Sequence, residues 1–125
     1  MGADSVPKKL GSPLKILKIG YEGYGDEWDH WYLFDTVLDV SSCSKITLGG
    51  ITAPENWAYL RIILKRDNTV IFDVTGTPYD GNVSNNKIIA ACSASYDVTN
   101  ASSFTIVVGN HYGNQKPWIN NIIVE

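Results

Sequence analysis

The sequence predicts an all-β domain, an antiparallel sandwich of two sheets with about eight strands. From Leu14 onward, turn-forming residues recur about every eight to twelve residues, and the runs between them are rich in Ile, Val, Thr, Tyr, Phe and Trp. No segment holds a helical period of about 3.6 residues over about ten positions. Because parallel sheets need crossover helices, the strands are expected to pair antiparallel.

The composition is that of one folded domain. The chain has 125 residues, of which 44% are apolar and 18% charged, which is enough for one core and too apolar for a disordered chain. Its two cysteines, Cys43 and Cys92, cannot build a disulfide-rich framework or a four-cysteine zinc site, although one bridge between them stays open. No apolar run approaches the ~20 residues of a membrane-spanning helix, so no membrane partner is expected.

We expect an extended arm over residues 1–13, followed by the sandwich domain over residues 14–125. The arm holds two glycines and two prolines and has no hydrophobic period. Docking on a neighbouring subunit, in a homo-oligomer or a larger assembly, would most easily explain such an arm, although packing along its own domain would explain it too. The first twenty residues are basic although the formal net charge of the chain is −3, and the expected contact lysines are Lys8, Lys9 and Lys15. Four lysines without arginine or interleaved aromatics do not favour nucleic acid.

Eight segments have the composition and alternation of strands. They are residues 14–21, 31–40, 45–48, 57–65, 69–74, 87–94, 103–108 and 118–124. Segments 57–65 and 69–74 predict a hairpin, because Asp67 and Asn68 between them tolerate left-handed backbone angles. The 103–108 strand is apolar at outward positions too, which predicts a central or covered strand.

Alternation also predicts which side chains face the core. On the first arm of the hairpin the inward residues are Leu60, Ile62 and Leu64. On the second arm they are Val70, Phe72 and Val74, and in segment 31–40 they are Tyr32, Phe34, Leu38 and Val40.

Residues 21–30 form an aromatic and acidic turn before the second strand. Tyr24 and Trp28 in this turn are expected to contact a neighbouring subunit. The nearby Asp26, Glu27, Asp29 and His30 match neither the spacing of a calcium loop nor a zinc-ligand pair, so no metal is expected.

No motif predicts catalysis. His30 and His111 stand in no recognisable nucleophile setting, and the glycine-rich residues 20–25 lack the Lys-Ser/Thr of a phosphate-binding loop. We therefore expect no enzyme and no cofactor.

Two sets of aromatic and polar residues, expected to be exposed, favour an alternative hypothesis, in which the domain binds sugars by ring stacking and amide hydrogen bonds. The first set is Trp57, Tyr59 and Arg61, and the second is Asn110, Tyr112, Gln115 and Trp118. The same residue types are also enriched in subunit interfaces.

The closing run Trp118-Ile119-Asn120-Asn121-Ile122-Ile123-Val124-Glu125 resembles the last strand of jelly-roll, carbohydrate-binding-module-like sandwiches. Residues 38–42 and 45–48 are similar to the early strands of such domains. Family members often carry Asp where this chain has Asn120. Stand-alone sandwiches with a basic arm also resemble bacteriophage capsid decoration and tail or fibre proteins. This resemblance implies a non-enzymatic structural protein of the virion; the alternative is an extracellular or cell-surface carbohydrate-binding module.

Overall fold

The computed structural model describes residues 13–20, 30–52, 60–76, 83–111 and 117–125. These residues form nine strands and one helix, α1 (Val83–Ala91), between the sixth and seventh strands. The strands are β1 (Leu14–Gly20), β2 (Tyr32–Asp39), β3 (Lys45–Thr47), β4 (Ile51–Thr52), β5 (Leu60–Arg66), β6 (Thr69–Gly76), β7 (Ser95–Asp97), β8 (Ser103–Asn110) and β9 (Trp118–Val124).

The strands pair into two antiparallel sheets, which confirms the predicted all-β architecture. The four-stranded sheet has the order β2-β8-β5-β6, and the five-stranded sheet has the order β1-β9-β3-β7 with β4 beside β9. Strand β8 pairs along its whole length with β2 and along most of it with β5, and its residues from Phe104 to Asn110 are buried on both faces. The 103–108 segment is therefore a central strand, as its apolar outward positions predicted.

One hydrophobic cluster joins the two sheets. Phe104, Leu38 and Leu64 of the four-stranded sheet share it with Ile46 and Ile119 of the other sheet, and all five side chains are almost completely buried. Burial of each such side chain contributes about 1.5–3 kcal/mol relative to exposure. Of the core residues predicted in segment 31–40, Leu38 and Val40 are buried, while Tyr32 and Phe34 are half-buried.

The β5–β6 hairpin forms as predicted, with Asp67 in the left-handed region at a φ of 54°. Leu64 pairs with Phe72 and Lys65 pairs with Val70, so Ile71 is an extra residue on β6. A bulge of this kind shifts the alternation by one residue. Ile71 consequently packs against the core while Val70 is 53% exposed, which corrects the prediction that Val70 faces inward.

The strand predicted over residues 87–94 is wrong, because α1 occupies most of that segment. Its buried residues are Ile88, Ala91 and Cys92, at the spacing of one helical face. In so short an apolar run this spacing coincides with part of a strand alternation, and Ala90 and Ala91 favour the helix. Beyond the helix, the backbone carbonyls of Cys92 and Ala94 accept hydrogen bonds from Gly50 and Leu48.

Cys43 and Cys92 are both buried with free thiols, so no disulfide joins them. The Cys43 thiol donates a hydrogen bond to the backbone oxygen of Ser41 at 3.6 Å. Both cysteines serve as small core residues.

Candidate functional site

The structure describes only some of the residues that the sequence selects as contact residues. The described segments include three residues predicted to bind sugars, Arg61, Asn110 and Trp118, and one lysine predicted to contact a neighbouring subunit, Lys15. The other selected residues lie outside the described residues and remain predictions: Lys8, Lys9, Tyr24, Trp28, Trp57, Tyr59, Tyr112 and Gln115.

Three of the four selected residues within the described segments lie at one end of the sandwich. In the four-stranded sheet, Leu60 pairs with Asn110 and Gly76, next to Arg61. In the five-stranded sheet, Trp118 pairs with Gly20 and Thr52. In each sheet, the end far from these residues is the one joined by the short connection 40–44. Because that connection holds the two far ends together, Arg61, Asn110 and Trp118 lie at the same end of the molecule.

Trp118 belongs to a side-chain network on the five-stranded sheet. Its Nε1 donates to Oδ1 of Asn120 at 2.6 Å, and Nδ2 of Asn120 donates to Oγ1 of Thr52 at 2.8 Å. The ammonium of Lys18 lies 4.4 Å from the centroid of the indole ring. Asn120 therefore ties β4 to β9 and orients Trp118, while Lys18 covers one face of the ring.

Arg61 is engaged in a bidentate ion pair on the outer face of the four-stranded sheet. Its Nε and Nη2 donate to the two carboxylate oxygens of Asp73 at 2.9 and 2.8 Å. The hydrogen bond to Asp73 raises the pKa of the Arg61 guanidinium, and the same bond lowers the pKa of the Asp73 carboxyl. Both side chains are exposed by more than a third, so the pair adds little stability and serves mainly to fix the guanidinium.

Asn110 is fully buried at the end of β8, so its side chain is not part of the described surface. The neighbouring rings are more accessible. His111 and Trp31 have ring centroids 5.1 Å apart, and His30 and Tyr32 pack edge to face at 4.4 Å.

The outer face of β2 carries an unusual set of side chains, which we name the β2 patch: Leu33, Asp35 and Val37. Leu33 is 48% exposed and Val37 is 51% exposed. Across the sheet, Asp35 aligns with the apolar Val107 and Ile63, whereas the rows of Leu33 and Val37 lead through β8 to Arg61 and Lys65. Leu33 and Val37 occupy outward positions of segment 31–40, whereas the sequence-based prediction for that segment concerned its inward positions.

Gly109 allows Leu33 to lie flat on the sheet. A Cβ atom at this position would stand 2.6 Å from Cδ2 of Leu33 and 3.2 Å from Cβ of Arg61. Any larger residue at 109 would push Leu33 away from its neighbours.

A second exposed set, the β1 patch, consists of Lys15, Leu17 and Lys18. Leu17 is 81% exposed, the highest value among the exposed large apolar side chains of the described segments. It lies opposite Asn121, whose φ is 49°, at the one position between Ile16–Ile122 and Lys18–Asn120 where the two strands do not pair. A groove of about 230 Å³ lies beside it, lined by Lys15, Ile16, Leu17, Asn121, Ile122 and Ile123.

At the end of the molecule opposite Arg61 and Trp118, a larger and more open groove of about 480 Å³ lies between β3, β7 and Glu125. Nζ of Lys45 and a carboxylate oxygen of Glu125 are 3.7 Å apart there, and Asp97 accepts a hydrogen bond from the backbone of Thr99. That bond lowers the pKa of the Asp97 carboxyl. These side chains pair with one another or with the nearby backbone.

Among the described residues, no group of three or more His, Cys, Asp or Glu side chains could hold a metal ion. Within the same segments, no helix is long and apolar enough to cross a membrane.

No protein-family model, no curated protein and no solved structure matches this chain.

Proposed function

We propose that this protein is a non-enzymatic structural component of a larger protein assembly, of the kind formed by capsid decoration or tail and fibre proteins of a bacteriophage virion. It binds neighbouring subunits through its surface and through the arm of residues 1–13. The observation that carries the proposal is the β2 patch, where Leu33 and Val37 face outward from a sheet whose inner face is already packed.

Two further features support a role in protein contacts. Leu33 and Val37 are exposed on the same face of one strand, and apolar side chains exposed together mark interaction sites more than an isolated one does. Arg61 and Asp73 form an ion pair on the outer face of the four-stranded sheet, and side chains held in this way suit a fixed contact face.

The native mass of the purified chain, together with the identity of any chains that copurify with it, tests this proposal. We expect a mass above that of one chain, or a stable complex with another virion protein. Deleting residues 1–13 should lower the mass or release the partner. The matched control is a variant whose arm has the same composition in scrambled order. Assembly and particle association that survive the deletion unchanged would exclude the arm from the proposal, and a lone monomer would refute assembly.

The second candidate function is carbohydrate binding, and Trp118 is the observation that favours it. Its ring lies beside the amide of Asn120 and the hydroxyl of Thr52, which are groups that bind sugar hydroxyls. Lys18 already lies over the ring, so a stacked sugar would have to use the other face or displace the ammonium.

A glycan array decides between the two functions. Binding that disappears in Trp118→Ala and persists in the exposed control Trp31→Ala would favour the carbohydrate function. Silence across a broad array with the wild-type chain would reject it.

A further inference from the structure

We infer that the partner of the β2 patch is a second copy of this chain, bound head to tail through its β1 patch. The inference rests on the proposed function, since it names the partner in an assembly that the exposed aliphatic residues indicate. It is carried by the complementary order of charged and aliphatic residues on two surfaces of the same molecule.

The two patches have complementary patterns. On β2, the acidic Asp35 stands between the aliphatic Leu33 and Val37, and alternate residues of a strand repeat about every 7 Å. On β1, the aliphatic Leu17 stands between the basic Lys15 and Lys18. Leu17 of one copy can therefore pack against Leu33 or Val37 of the next while a lysine reaches Asp35.

No ion pair within the described segments occupies the charges of the two patches. Within the described segments, the ion pairs are Arg61 with Asp73 and Lys45 with Glu125, and neither includes Asp35 or Lys15. Lys18 is held over the Trp118 ring, a contact that does not neutralise its charge. No acidic residue lies on β1 or β9 to oppose an incoming carboxylate.

The geometry favours a head-to-tail contact over a twofold dimer. The β1 patch belongs to the five-stranded sheet and the β2 patch to the four-stranded sheet, and the outer faces of a sandwich point in opposite directions. One neighbour cannot cover both patches, so each copy would bind one neighbour on each side. Contacts of this type generate rings or filaments.

Charge reversal tests the inference. The variants are Asp35→Lys, which makes both patches basic, and Lys15→Glu/Lys18→Glu, which makes both acidic. Sedimentation velocity at about 0.1 M salt should show self-association weakened at least about tenfold in each variant alone, because like charges then face each other. In the wild type, raising the salt to about 1 M should weaken association, since the Debye length falls to ~3 Å.

Mixing the two variants is the decisive experiment. In an equimolar mixture every patch again meets one of opposite charge, so we expect association to return to near the wild-type level. The control is Lys87→Glu on the exposed face of α1, which changes the net charge without touching either patch and should associate normally. Circular dichroism confirms that each variant is folded.

The outcomes separate this inference from the proposed function. Wild-type association that neither variant weakens, or variants that stay apart on mixing, would overturn the head-to-tail contact while leaving assembly through other surfaces intact. A wild-type chain that stays monomeric alone but binds another protein would reject the inference and keep the proposed function.

Discussion

At the scale of single residues, backbone conformations that side chains rarely adopt mark where the strands turn or break. Four non-glycine residues of the described segments have positive φ: Ser42, Asp67, Asn100 and Asn121. Asp67 makes further use of its position, because its Oδ1 accepts hydrogen bonds from the backbone of Ser102 and Ser103 at 2.9 and 3.1 Å. One turn residue thus ties the β5–β6 hairpin to the start of β8.

The sequence indicated Asp67 but not Asn121. Asp67 stands in a short polar link between two alternating runs, which is a recognised turn signal. Asn121 stands inside an apolar strand, where only the burial of the side chains on β1 and β9 shows that the alternation shifts and leaves Leu17 outward. Pairing partners are set by the tertiary fold, so the β1 patch could not be predicted from the local sequence.

Burial protects the thiol of Cys92 and raises its pKa from the ordinary 9.0 to about 12. Because the thiolate is the reactive form, we expect iodoacetamide at about pH 8 to leave Cys92 unmodified in the native protein and to label it after unfolding in urea. Mass spectrometry counts the labels. An exposed control, Asn86→Cys, should react in the native state, and equal labelling of Cys92 would contradict the buried position.

The same shift has a consequence for stability. Because the pKa of Cys92 is raised in the folded state, its contribution to stability is fully present below about pH 9 and is lost as the pH rises toward 12. The free energy of unfolding should therefore fall with pH across this alkaline range, and Cys92→Ala should reduce that fall.

At the scale of elements, regular alternation predicted most strands, and the failures arose where the chain departs from it. The hairpin and the central strand β8 follow from period-two patterns that extend over six or more residues. The nine-residue helix α1 does not show such a signal, because only Ile88 and Ala91 of its described side chains are buried. Its position is set by packing against β6 and by the hydrogen bonds that the residues just after it make with the β3–β4 connection.

A pair of neighbouring substitutions tests the helix. Ile88 is 1% exposed and Ile89 is 45% exposed. We expect Ile88→Ala to lower the free energy of unfolding by about 2–4 kcal/mol, since it leaves a cavity in the core, and Ile89→Ala to lower it by less than about 1 kcal/mol. Urea denaturation measures both. Equal costs at the two positions would show that this segment does not present one buried face.

At the scale of the whole molecule, the inner faces of the two sheets share one core while their outer faces differ in character. The outer side of the five-stranded sheet carries Lys15, Lys18 and the Trp118 network, whereas the outer side of the four-stranded sheet carries Asp35 between exposed aliphatic residues on β2 and the Arg61–Asp73 ion pair on β5 and β6. The sequence predicted the two-sheet architecture, because inward alternation is repeated in many strands. It could not predict the contrast between the outer faces, since that depends on which strands become neighbours.

A shared core predicts that both sheets unfold together. Ile62 on β5 and Ile119 on β9 are both fully buried in the same cluster, one from each sheet. We expect Ile62→Val and Ile119→Val each to lower the free energy of unfolding by about 0.5–1.5 kcal/mol. Each should move the urea midpoint of the far-ultraviolet and near-ultraviolet circular dichroism signals by the same amount, with the slope unchanged. Measurement at low protein concentration limits the contribution of self-association. If Ile119→Val moved one signal and left the other in place, the sheets would be separate cooperative units, and the outer faces could not be held in the fixed relation that a head-to-tail contact requires.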